Sequence, residues 1–315
     1  MIGIVLAGGF AKRMRPLTYS KPLLPVGGKP CIGHVCDKLS KIKNLDRIHI
    51  TTSRLFGEDY RNWLESSGLD DRFTLSIEPA QSEGEKFGAL RAILYLINKE
   101  KINDDILICA GDNYFDFSFD ELLEAFTKSN SITVGLYDLQ DKEKVKLYSE
   151  IILKGEHIQE FKEKPMNPKS SLVSMAIYIY PKEVIELLRK AVSNGHFDNL
   201  GKFIEFVVGM GIPVIGKVMI GKWIDIGDKN SYLEANSLIL KGKSYISNNC
   251  DIDESSEIGD NVVIGEGCKI TKSQINKSII LPNSIIRSST VLSSVVGANS
   301  RLLNQTLKEK TFEAH

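Results

Sequence analysis

Between positions 1 and 130, apolar and polar residues follow a pattern that predicts strands separated by helices. Three apolar runs predict buried strands at residues 2–7, 47–52 and 105–110. Between them, apolar residues recur at helical spacing in residues 32–43, 57–66 and 88–98. This alternation is typical of a parallel sheet covered on both faces, whose ligands bind beyond the carboxyl ends of the strands. Residues directly after Ala7 and Ala110 are therefore the first candidates for chemistry.

The pattern of residues 131–240 is more mixed. Apolar positions on both sides of the turn at Gly155 predict a β-hairpin over residues 151–161. Residues 172–180 form a long β-rich run, which predicts a strand. Pro181 is expected to open a helix that reaches about residue 193, and residues 200–208 predict a further helix.

From residue 246 the apolar period changes to six. Isoleucine recurs at this spacing at positions 246, 252, 258, 264 and 270. A second run, out of phase with the first, contains Ile280, Ile286 and Leu292. Hexapeptide periodicity is the signature of a parallel β-helix, and roughly 60 residues would provide about three coils. A set of ordinary short strands is the alternative interpretation.

Length and charge exclude several classes of protein. The chain has 315 residues, which favours two domains at about 150 residues each. Its 40 basic and 40 acidic residues balance, whereas a nucleic-acid binder usually carries a basic excess. No apolar run approaches the roughly 18 residues that span a bilayer, and the five cysteines include no Cys-x-x-Cys pair. We therefore expect buried thiols, no membrane segment, no nucleic-acid partner and a cytoplasmic location.

Paired glycines directly after the first strand form the first candidate site. Gly8 and Gly9 let backbone N–H groups approach a phosphate or a base without interference from a Cβ atom. Lys12, Arg13 and Arg15 follow, so the segment also carries local positive charge. A plain loop is the alternative, because the segment is neither a Walker A loop nor a dinucleotide fingerprint.

A lysine and two aspartates are further candidates. Prolines in residues 20–26 fix an extended segment that presents Lys21 from a rigid base, although a solvated lysine is the simpler interpretation. Asp112 follows the strand at 105–110, where it could hold Mg²⁺ or simply form a turn. Asp225 lies between two isoleucines and near Trp223, a costly place for a carboxylate without a partner such as a metal ion.

These segments together resemble one family. Five short segments precede the hexapeptides. They are Leu-Ala-Gly-Gly at 6–9, Ser-Lys-Pro-Leu-Leu-Pro at 20–25, Gly-Asp-Asn at 111–113, Glu-Lys-Pro at 163–165 and Trp-Ile-Asp-Ile-Gly at 223–227. In this order they resemble the sugar-1-phosphate nucleotidylyltransferases, close to the glucose-1-phosphate thymidylyl- and uridylyltransferases. The resemblance implies an α/β fold: a Rossmann-like nucleotidyltransferase domain with a mixed central sheet in 1–240, a short left-handed parallel β-helix in 241–305 and a tail in 306–315.

The resemblance also implies a reaction and a set of residue roles. A sugar 1-phosphate, glucose 1-phosphate by preference, would attack the α-phosphate of dTTP or UTP, giving an NDP-sugar and pyrophosphate. Arg13 and Lys21 would be catalytic, and Asp112 and Asp225 would hold Mg²⁺. Glu163, Lys164 and Ser149 would bind the sugar phosphate. The nucleotide would be bound by Leu6, Ala7, Gly8, Gly9 and Gly88.

Some positions depart from the family pattern. The base-reading segment has no glutamine at the usual spacing, since Gln81 is two residues away from it. Two glycines expected in the sugar pocket are replaced by Ser149 and Ala176. These changes keep open a non-catalytic regulatory subunit with the same fold. A β-helix acetyltransferase is disfavoured because residues 246–302 contain no histidine to act as a base.

A short β-helix also bears on assembly. Its end coil must be covered by other protein, so we expect a homo-oligomer.

Overall fold

The computed structural model of the chain describes residues 1–9, 12–79, 87–193 and 199–314. Contacts divide the chain into two compact units. Unit 1 contains Met1–Gly8, Val35–Gly111 and Phe115–Trp223, and unit 2 contains Gly9–His34, Asp112–Tyr114 and Ile224–His315. The division at residue 240 that the sequence suggests remains a prediction.

Regular elements cover most of the described residues. The strands that precede the C-terminal repeats are β1 (Ile2–Leu6), β2 (Pro25–Val26), β3 (Lys29–Pro30), β4 (Arg47–Ser53), β5 (Phe73–Glu78), β6 (Ile106–Ala110), β7 (Asn113–Phe115), β8 (Ile132–Asp138), β9 (Ser149–Lys154), β10 (His157–Glu163), β11 (Leu172–Tyr180), β12 (Val214–Val218) and β13 (Trp223–Asp225). The α-helices are α1 (Cys31–Leu39), α2 (Gly57–Ser66), α3 (Ala89–Glu100), α4 (Asp120–Ser129), α5 (Lys142–Val145), α6 (Val184–Ser193), α7 (Leu200–Gly209) and α8 (Lys229–Leu240).

Unit 1 is built on one mixed sheet of nine strands, in the order β5-β4-β1-β6-β11-β8-β12-β10-β9. Strands β5, β4, β1 and β6 are parallel, as the alternation of strands and helices predicts. Strand β11 then pairs antiparallel with β6 and β8, which makes the sheet mixed. The predicted hairpin is confirmed, because β9 and β10 pair antiparallel. The carboxyl ends of the parallel strands therefore lie at one edge of the sheet.

The core of unit 1 joins this sheet to its helices. It contains fully buried side chains from β1, β6 and β8 together with one apolar face each of α3, α6 and α7. Helix α6 begins at Val184, three residues later than Pro181, because residues 181–185 first form a turn. The predicted helices at 57–66 and 200–208 are confirmed, with α7 extending to Gly209.

One of the two cores of unit 2 joins the segment 14–31, helix α8 and one face of the C-terminal repeats, while the other fills the interior of the repeats. Met14, Leu24, Tyr232 and Val263 belong to the first of these cores and are buried. Helix α8 begins at a capping box, in which the Asp228 side chain accepts from the backbone N–H groups of Asn230 and Ser231. The segment that carries Arg13 and Lys21 is thereby packed onto the helix that follows Asp225.

The C-terminal repeats form three parallel sheets, consistent with the predicted left-handed β-helix. The strands are β14 (Tyr245–Ile246), β15 (Asp251–Ile252), β16 (Glu257–Ile258), β17 (Val263–Ile264), β18 (Lys269–Thr271), β19 (Gln274–Asn276), β20 (Ile279–Ile280), β21 (Ile285–Arg287), β22 (Thr290–Leu292), β23 (Val295–Val296), β24 (Arg301–Leu303), β25 (Thr306–Lys308) and β26 (Thr311–Phe312). They give four complete coils and one further strand, more than the three coils expected. Residues 306–312, predicted as part of a tail, carry the last two strands.

A change of coil length explains why the second apolar run is out of phase. The first coil runs from Tyr245 to its pairing partner Val263, and the second runs from Val263 to its partner Ile279, which makes the second coil shorter by two positions. Two corners of each later coil are one residue shorter than those of the first coil and contain a residue with positive φ, such as Lys272 and Lys277. In the second and third coils a serine follows each of these residues, and the hydroxyls of Ser273 and Ser278 donate to backbone carbonyls of the tight turns. The repeat is thus hexapeptide only in its first coil.

Two further expectations concern the cysteines and the membrane. Cys31, Cys36, Cys109 and Cys268 are buried as predicted, Cys250 is partly exposed, and no disulfide joins these five residues. Within the described ranges, no helix is long and apolar enough to cross a bilayer.

Candidate active site

The glycine pair follows a strand end that is held firmly in place. The carbonyl of Ala7 accepts hydrogen bonds from the hydroxyls of Tyr60 (3.1 Å) and Thr52 (3.3 Å). A Cβ atom at Gly9 would meet no atom within 4 Å among the described residues. The backbone that follows β1 is therefore anchored on one side and leaves room on the other for a ligand to approach.

Arg13 lies in a short 3₁₀ helix, Lys12–Met14, which is fixed by the buried side chain of Met14. The Arg13 side chain itself is exposed. A Cβ atom placed on Gly227 would lie 3.6 Å from both Arg13 Nη1 and Asp225 Oδ2. Glycine at 227 therefore leaves space between a guanidinium and a carboxylate. The Lys12 side chain lies outside the described residues.

Lys21 opens another 3₁₀ helix, Lys21–Leu23, in which Pro22 is buried. Its ammonium group donates to Asp112 Oδ2 at 2.5 Å and to the carbonyl of Ile226 at 3.2 Å. Burial lowers the pKa of Lys21, but the charges of Asp112 and Asp225 outweigh burial and raise it overall. The amine is thus held protonated, and the predicted rigid base under this side chain is present.

Asp112 directly precedes β7, and Asp225 is the last residue of β13, the strand that pairs with β7 in a two-stranded sheet. The N–H of Ile226 donates to the carbonyl of Asp112 at 3.0 Å, which fixes the register of the two segments. Burial, followed by the negative charge of Asp112, raises the pKa of Asp225 to about 6, while Lys21 and Arg13 act in the opposite direction. A buried carboxylate next to a second carboxylate is stabilised by a nearby cation.

This donor set fits Mg²⁺. Protein sites for this ion commonly provide one or two carboxylates and leave the remaining positions to water and substrate phosphates. No group of three or more His, Cys, Asp or Glu side chains that could hold a metal occurs in the described part of the chain. Asp112 and Asp225 therefore match a shared ion with phosphate ligands better than a closed structural metal site.

The predicted sugar-binding residues lie in unit 1, on the β9–β10 hairpin. The Ser149 hydroxyl donates to Glu163 Oε2 at 2.6 Å. A Cβ atom on Gly201, near the start of α7, would overlap the same Glu163 carboxylate, so only glycine leaves room for it there. The Lys164 side chain is exposed, while its backbone N–H donates to the carbonyl of Tyr148 at 2.8 Å. The serine that replaces a family glycine thus orients the glutamate.

The second departure from the family pattern lies at a β-bulge. Ala176 has a φ of 55°, a conformation that favours glycine, and the β11–β8 register shifts between Ser174 and Tyr178. The Ser174 hydroxyl donates to the hydroxyl oxygen of Tyr178 at 2.9 Å. Burial raises the pKa of Tyr178, so its hydroxyl stays protonated. Alanine here keeps the backbone shape that a glycine would favour.

The structure groups the predicted residues into two sets. Arg13, Lys21, Asp112 and Asp225 lie together in unit 2. Ser149 and Glu163 lie together in unit 1, where Gly88 also caps α3 and accepts from the N–H of Ala92. The segment around Gln81, where the family resemblance implies base reading, lies outside the described residues.

Sequence reasoning overlooked one buried carboxylate. Glu78 is the last residue of β5 and is 5% exposed. A Cβ atom on Gly8 would lie 3.6 Å from its Oε1 atom. The signal was present, because Glu78 ends a strand next to Pro79 at the carboxyl edge of the sheet. The family pattern implies a glutamine at a fixed spacing, and a glutamate does not match that pattern.

Comparison with family models now places the chain. A model described as nucleotidyl transferase matches residues 2–242, and a model described as GMPPB C-terminal domain matches residues 240–311. The first match covers well over half of the sequence. The chain therefore belongs to the nucleotidyl transferase family, among its sugar-1-phosphate nucleotidylyltransferases. As an enzyme of this family it transfers a nucleotidyl group to a sugar 1-phosphate.

Individual relatives agree with this assignment. A Sulfolobus acidocaldarius protein named as a mannose-1-phosphate guanyltransferase is 29% identical over 287 residues, which cover 86% of this chain and 75% of that protein. The bifunctional GlmU protein of Methanocaldococcus jannaschii is 27% identical over 84% of this chain and 59% of its own length. A Bacillus anthracis structure, named as a glucose-1-phosphate thymidylyltransferase in complex with a sucrose, has 27% identity and a TM-score of 0.65 over 76% of this chain and 94% of that one.

Proposed function

We propose that nucleotidyl transfer by this chain takes place at a Mg²⁺ site held by Asp112 and Asp225, with Lys21 and Arg13 as its cations. The observation that carries the proposal is the contact of Lys21 with Asp112, next to an Asp225 carboxyl whose pKa is raised to about 6. Mg²⁺ bound there would polarise the phosphate oxygens and offset their charge. The two carboxylates would hold the metal ion, and the two cations would offset the negative charge of the substrates.

The protein side of the mechanism is positioning and neutralisation of charge. Both substrates are anions, and two like unit charges at 4 Å repel by about 4 kcal/mol at an effective dielectric near 20. Lys21, which stays protonated, would therefore favour the approach of the sugar phosphate to the α-phosphate. Arg13, as an exposed guanidinium, would bind the departing pyrophosphate through paired N–H donors. The anchored backbone at Ala7, Gly8 and Gly9 would hold the nucleotide.

We assign binding of the sugar 1-phosphate to Glu163, Ser149 and Lys164. The Ser149 hydroxyl occupies Oε2 of Glu163, which leaves Oε1 as the acceptor for a sugar hydroxyl. Lys164 has an exposed ammonium group, suited to the phosphate of the sugar. These roles are the ones that the sequence resemblance implies. Within them, the role of Ser149 is to orient the Glu163 carboxylate.

The choice of nucleotide and sugar has two candidates. dTTP or UTP with glucose 1-phosphate is the pair implied by the sequence resemblance, and the Bacillus anthracis structure carries a thymidylyltransferase name. GTP with mannose 1-phosphate is the second pair, favoured by the name of the Sulfolobus relative. A homo-oligomer and a cytoplasmic location remain predictions. The regulatory-subunit alternative is disfavoured because Arg13, Lys21, Asp112 and Asp225 are all retained.

Pyrophosphate release from a substrate panel tests the proposal. The purified chain is mixed with each of GTP, dTTP, UTP and ATP, each of glucose 1-phosphate and mannose 1-phosphate, and Mg²⁺, and pyrophosphate is measured against an EDTA control. We expect one nucleotide and one sugar phosphate to exceed the others by at least tenfold. If no pair exceeds the metal-free control, the proposed reaction is wrong for this chain and the regulatory hypothesis is favoured.

A further inference from the structure

Residues 164–171 connect β10 to β11, and this connection begins at a residue of the proposed sugar site. Glu163 ends β10, and Lys164 follows it with a φ of 48°. Such a left-handed backbone is unfavourable for a residue other than glycine, and it persists only where surrounding contacts hold it. The contacts that hold the connection therefore fix the position of Lys164.

The beginning of the connection is held from the start of β9. The carbonyl of Tyr148 accepts from the backbone N–H of Lys164 at 2.8 Å. The Ser149 hydroxyl donates to Oε2 of Glu163 at 2.6 Å. Both contacts are made at the point where the chain leaves β10, so they act only on the first residues of the connection.

The far end of the connection is held by Glu150, the residue after Ser149 in β9. Its Oε1 atom accepts from the backbone N–H groups of Lys169 and Ser170, the second of them at 2.8 Å. Glu150 is only 6% exposed, and a buried carboxylate is costly unless it receives hydrogen bonds of this kind. One side chain of β9 thus fixes two residues that lie 19 and 20 positions further along the chain.

The connection is short and partly rigid, so a displacement at its far end reaches its beginning. Pro165 and Pro168 each restrict a backbone φ angle, and Pro165 is buried. At Ser171 the chain returns to the sheet, where the carbonyl of this residue accepts from the N–H of Leu139 at 3.0 Å. Glu150 therefore holds the two residues directly before this return.

We propose that Glu150 is a positioning residue for the sugar 1-phosphate, because it anchors the connection that places Lys164. This inference rests on the proposed binding of the sugar 1-phosphate by Glu163 and Lys164. In the register of the hairpin, Ser149 pairs with Glu163 and Glu150 pairs with Lys162. Successive side chains of a strand point to opposite faces of the sheet, so Ser149 and Glu150 act from opposite faces. Ser149 orients the Glu163 carboxylate, and Glu150 fixes the backbone that follows it.

The chemistry of the contact predicts which substitutions preserve it. Glutamine at position 150 would keep an amide oxygen with two lone pairs, which can accept from both N–H groups. Valine would keep part of the side-chain volume but offers no acceptor, so the N–H groups of Lys169 and Ser170 would lose their partner. Under this inference the hydrogen-bond acceptor at position 150 matters, and its charge does not.

Kinetics of Glu150→Gln and Glu150→Val test the inference. The KM for the sugar is measured with whichever of glucose 1-phosphate and mannose 1-phosphate the wild type uses, and the KM for the nucleotide is measured separately. We expect Glu150→Val to raise the KM for the sugar 1-phosphate about 5- to 20-fold and the KM for the nucleotide less than about twofold. Glu150→Gln should stay within about threefold of the wild type in both values. A merely structural role would not confine the effect to one substrate.

Amide hydrogen exchange in the ligand-free protein measures the anchor without any activity. In Glu150→Val we expect the amides of Lys169 and Ser170 to exchange at least about tenfold faster, because local opening no longer breaks two hydrogen bonds. In Glu150→Gln their exchange should remain close to that of the wild type. Faster exchange at the Lys164 amide in Glu150→Val would show that the loosening reaches the sugar site.

Glu160→Val is the matched control. Glu160 lies in β10 of the same hairpin, and its side chain is exposed. The substitution removes the same chemical group from the same sheet, but the Glu160 side chain takes no part in the hydrogen bonds that hold the connection. Neither KM should change, and the exchange of the Lys169 and Ser170 amides should equal that of the wild type.

Four outcomes would overturn the inference. They are an unchanged KM for the sugar 1-phosphate in Glu150→Val, an equal rise in both KM values, equal impairment of Glu150→Gln and Glu150→Val, or unchanged exchange at Lys169 and Ser170. If Glu150→Val does not fold, Glu150→Ala takes its place in both measurements.

Failure of the proposed reaction would be distinguishable from failure of this inference. If no substrate pair releases pyrophosphate, the proposed reaction is wrong, and amide exchange still decides whether Glu150 anchors the connection. The thermal shift that glucose 1-phosphate or mannose 1-phosphate causes in EDTA then decides whether binding of the sugar depends on Glu150. A shift of equal size in the wild type and in Glu150→Val would overturn the inference.

Discussion

The ammonium group of Lys21 lies 2.5 Å from Oδ2 of Asp112, and the two side chains are only 14% and 19% exposed. They are 91 positions apart in the sequence. A partly buried ion pair of this kind is a weak source of net stability, but breaking one is costly. Its value here is chemical, because it keeps a cation beside the carboxylates that we assign to the metal ion.

Asp225→Asn is expected to abolish turnover and to preserve the fold. The carboxylate at 225 is made unfavourable by burial and by Asp112, so the uncharged amide relieves repulsion at neutral pH. We expect loss of activity of at least 100-fold and a Tm equal to or above that of the wild type in EDTA. Pyrophosphate release and differential scanning calorimetry give both values. Full activity in the variant would remove Asp225 from the metal site.

The difference in the free energy of unfolding between the wild type and Asp225→Asn should also depend on pH. The pKa of Asp225 is about 6 in the folded protein and 3.8 for an unperturbed aspartate, as in the unfolded chain, so the folded protein binds an extra proton between these values. The resulting stabilisation is fully present below about pH 4 and is lost as the pH rises through 6. Asp225→Asn should therefore gain stability relative to wild type between pH 4.5 and pH 7.5, as measured by urea unfolding in EDTA. A constant difference over this range would contradict the raised pKa.

Lys21→Met should destabilise the protein and inactivate it. The substitution keeps the length of the side chain but leaves Asp112 without its cation, which costs about 3–5 kcal/mol for a buried pair. Adding Asp225→Asn should recover part of the stability and none of the activity. Lys41→Met, at an exposed position, serves as the control and should change both quantities little. Unfolding in urea measures the stability of each variant, and pyrophosphate release measures its activity.

Glu163→Gln should weaken binding of the sugar 1-phosphate and leave the nucleotide unaffected. Hydrogen bonds to a charged group contribute about 1.5–3 kcal/mol, which corresponds to roughly 10- to 100-fold in KM. Ser149→Gly should give a smaller increase in the same KM, because the glutamate keeps its charge but loses the bond that orients it. Initial rates at varied sugar phosphate and varied nucleotide provide the test. An equal rise in both KM values would point to general damage instead.

Ser294→Ala should destabilise the β-helix without affecting chemistry. The Ser294 hydroxyl donates to the carbonyl of Leu292 at 2.7 Å and accepts from the N–H of Lys310 at 3.1 Å. Its removal takes the acceptor away from the Lys310 N–H and one of two donors away from the Leu292 carbonyl, which also accepts from the N–H of Glu309, at a cost of about 1 kcal/mol. Ser255→Ala, at an exposed serine bonded to Asp253, should cost much less. Equal urea midpoints for the two variants would mean that the corner serines do not support the tight turns.

Periodicity predicted the elements of this protein well where burial follows a regular pattern. The strand at Leu172–Tyr180 and the helix at Gly57–Ser66 match the sequence interpretation at both ends. Spacing failed at the later β-helix coils, because two corners of each coil are one residue shorter and turn tightly at a residue with positive φ, such as Lys272. Such a conformation is a property of the backbone that hydrophobic spacing does not report. The coil number was therefore underestimated.

Some residues of the candidate site could likewise be predicted from the sequence, and others could not. Lys21, Asp112 and Asp225 could be chosen from the sequence, because a lysine between prolines and acidic groups after buried strands are local features. The position of Glu78 beside Gly8 could not, because it depends on the pairing of β4 with both β5 and β1.

By itself, then, the sequence determined which segments form strands and helices, the family and the class of reaction, since these follow from local patterns and motif order. Only the tertiary structure decided that Lys21 contacts Asp112, that Ser149 orients Glu163, and that Gly8 and Glu78 share one edge of a sheet. The physical reason is that contacts between distant residues depend on strand order and register, which arise from packing of the whole chain.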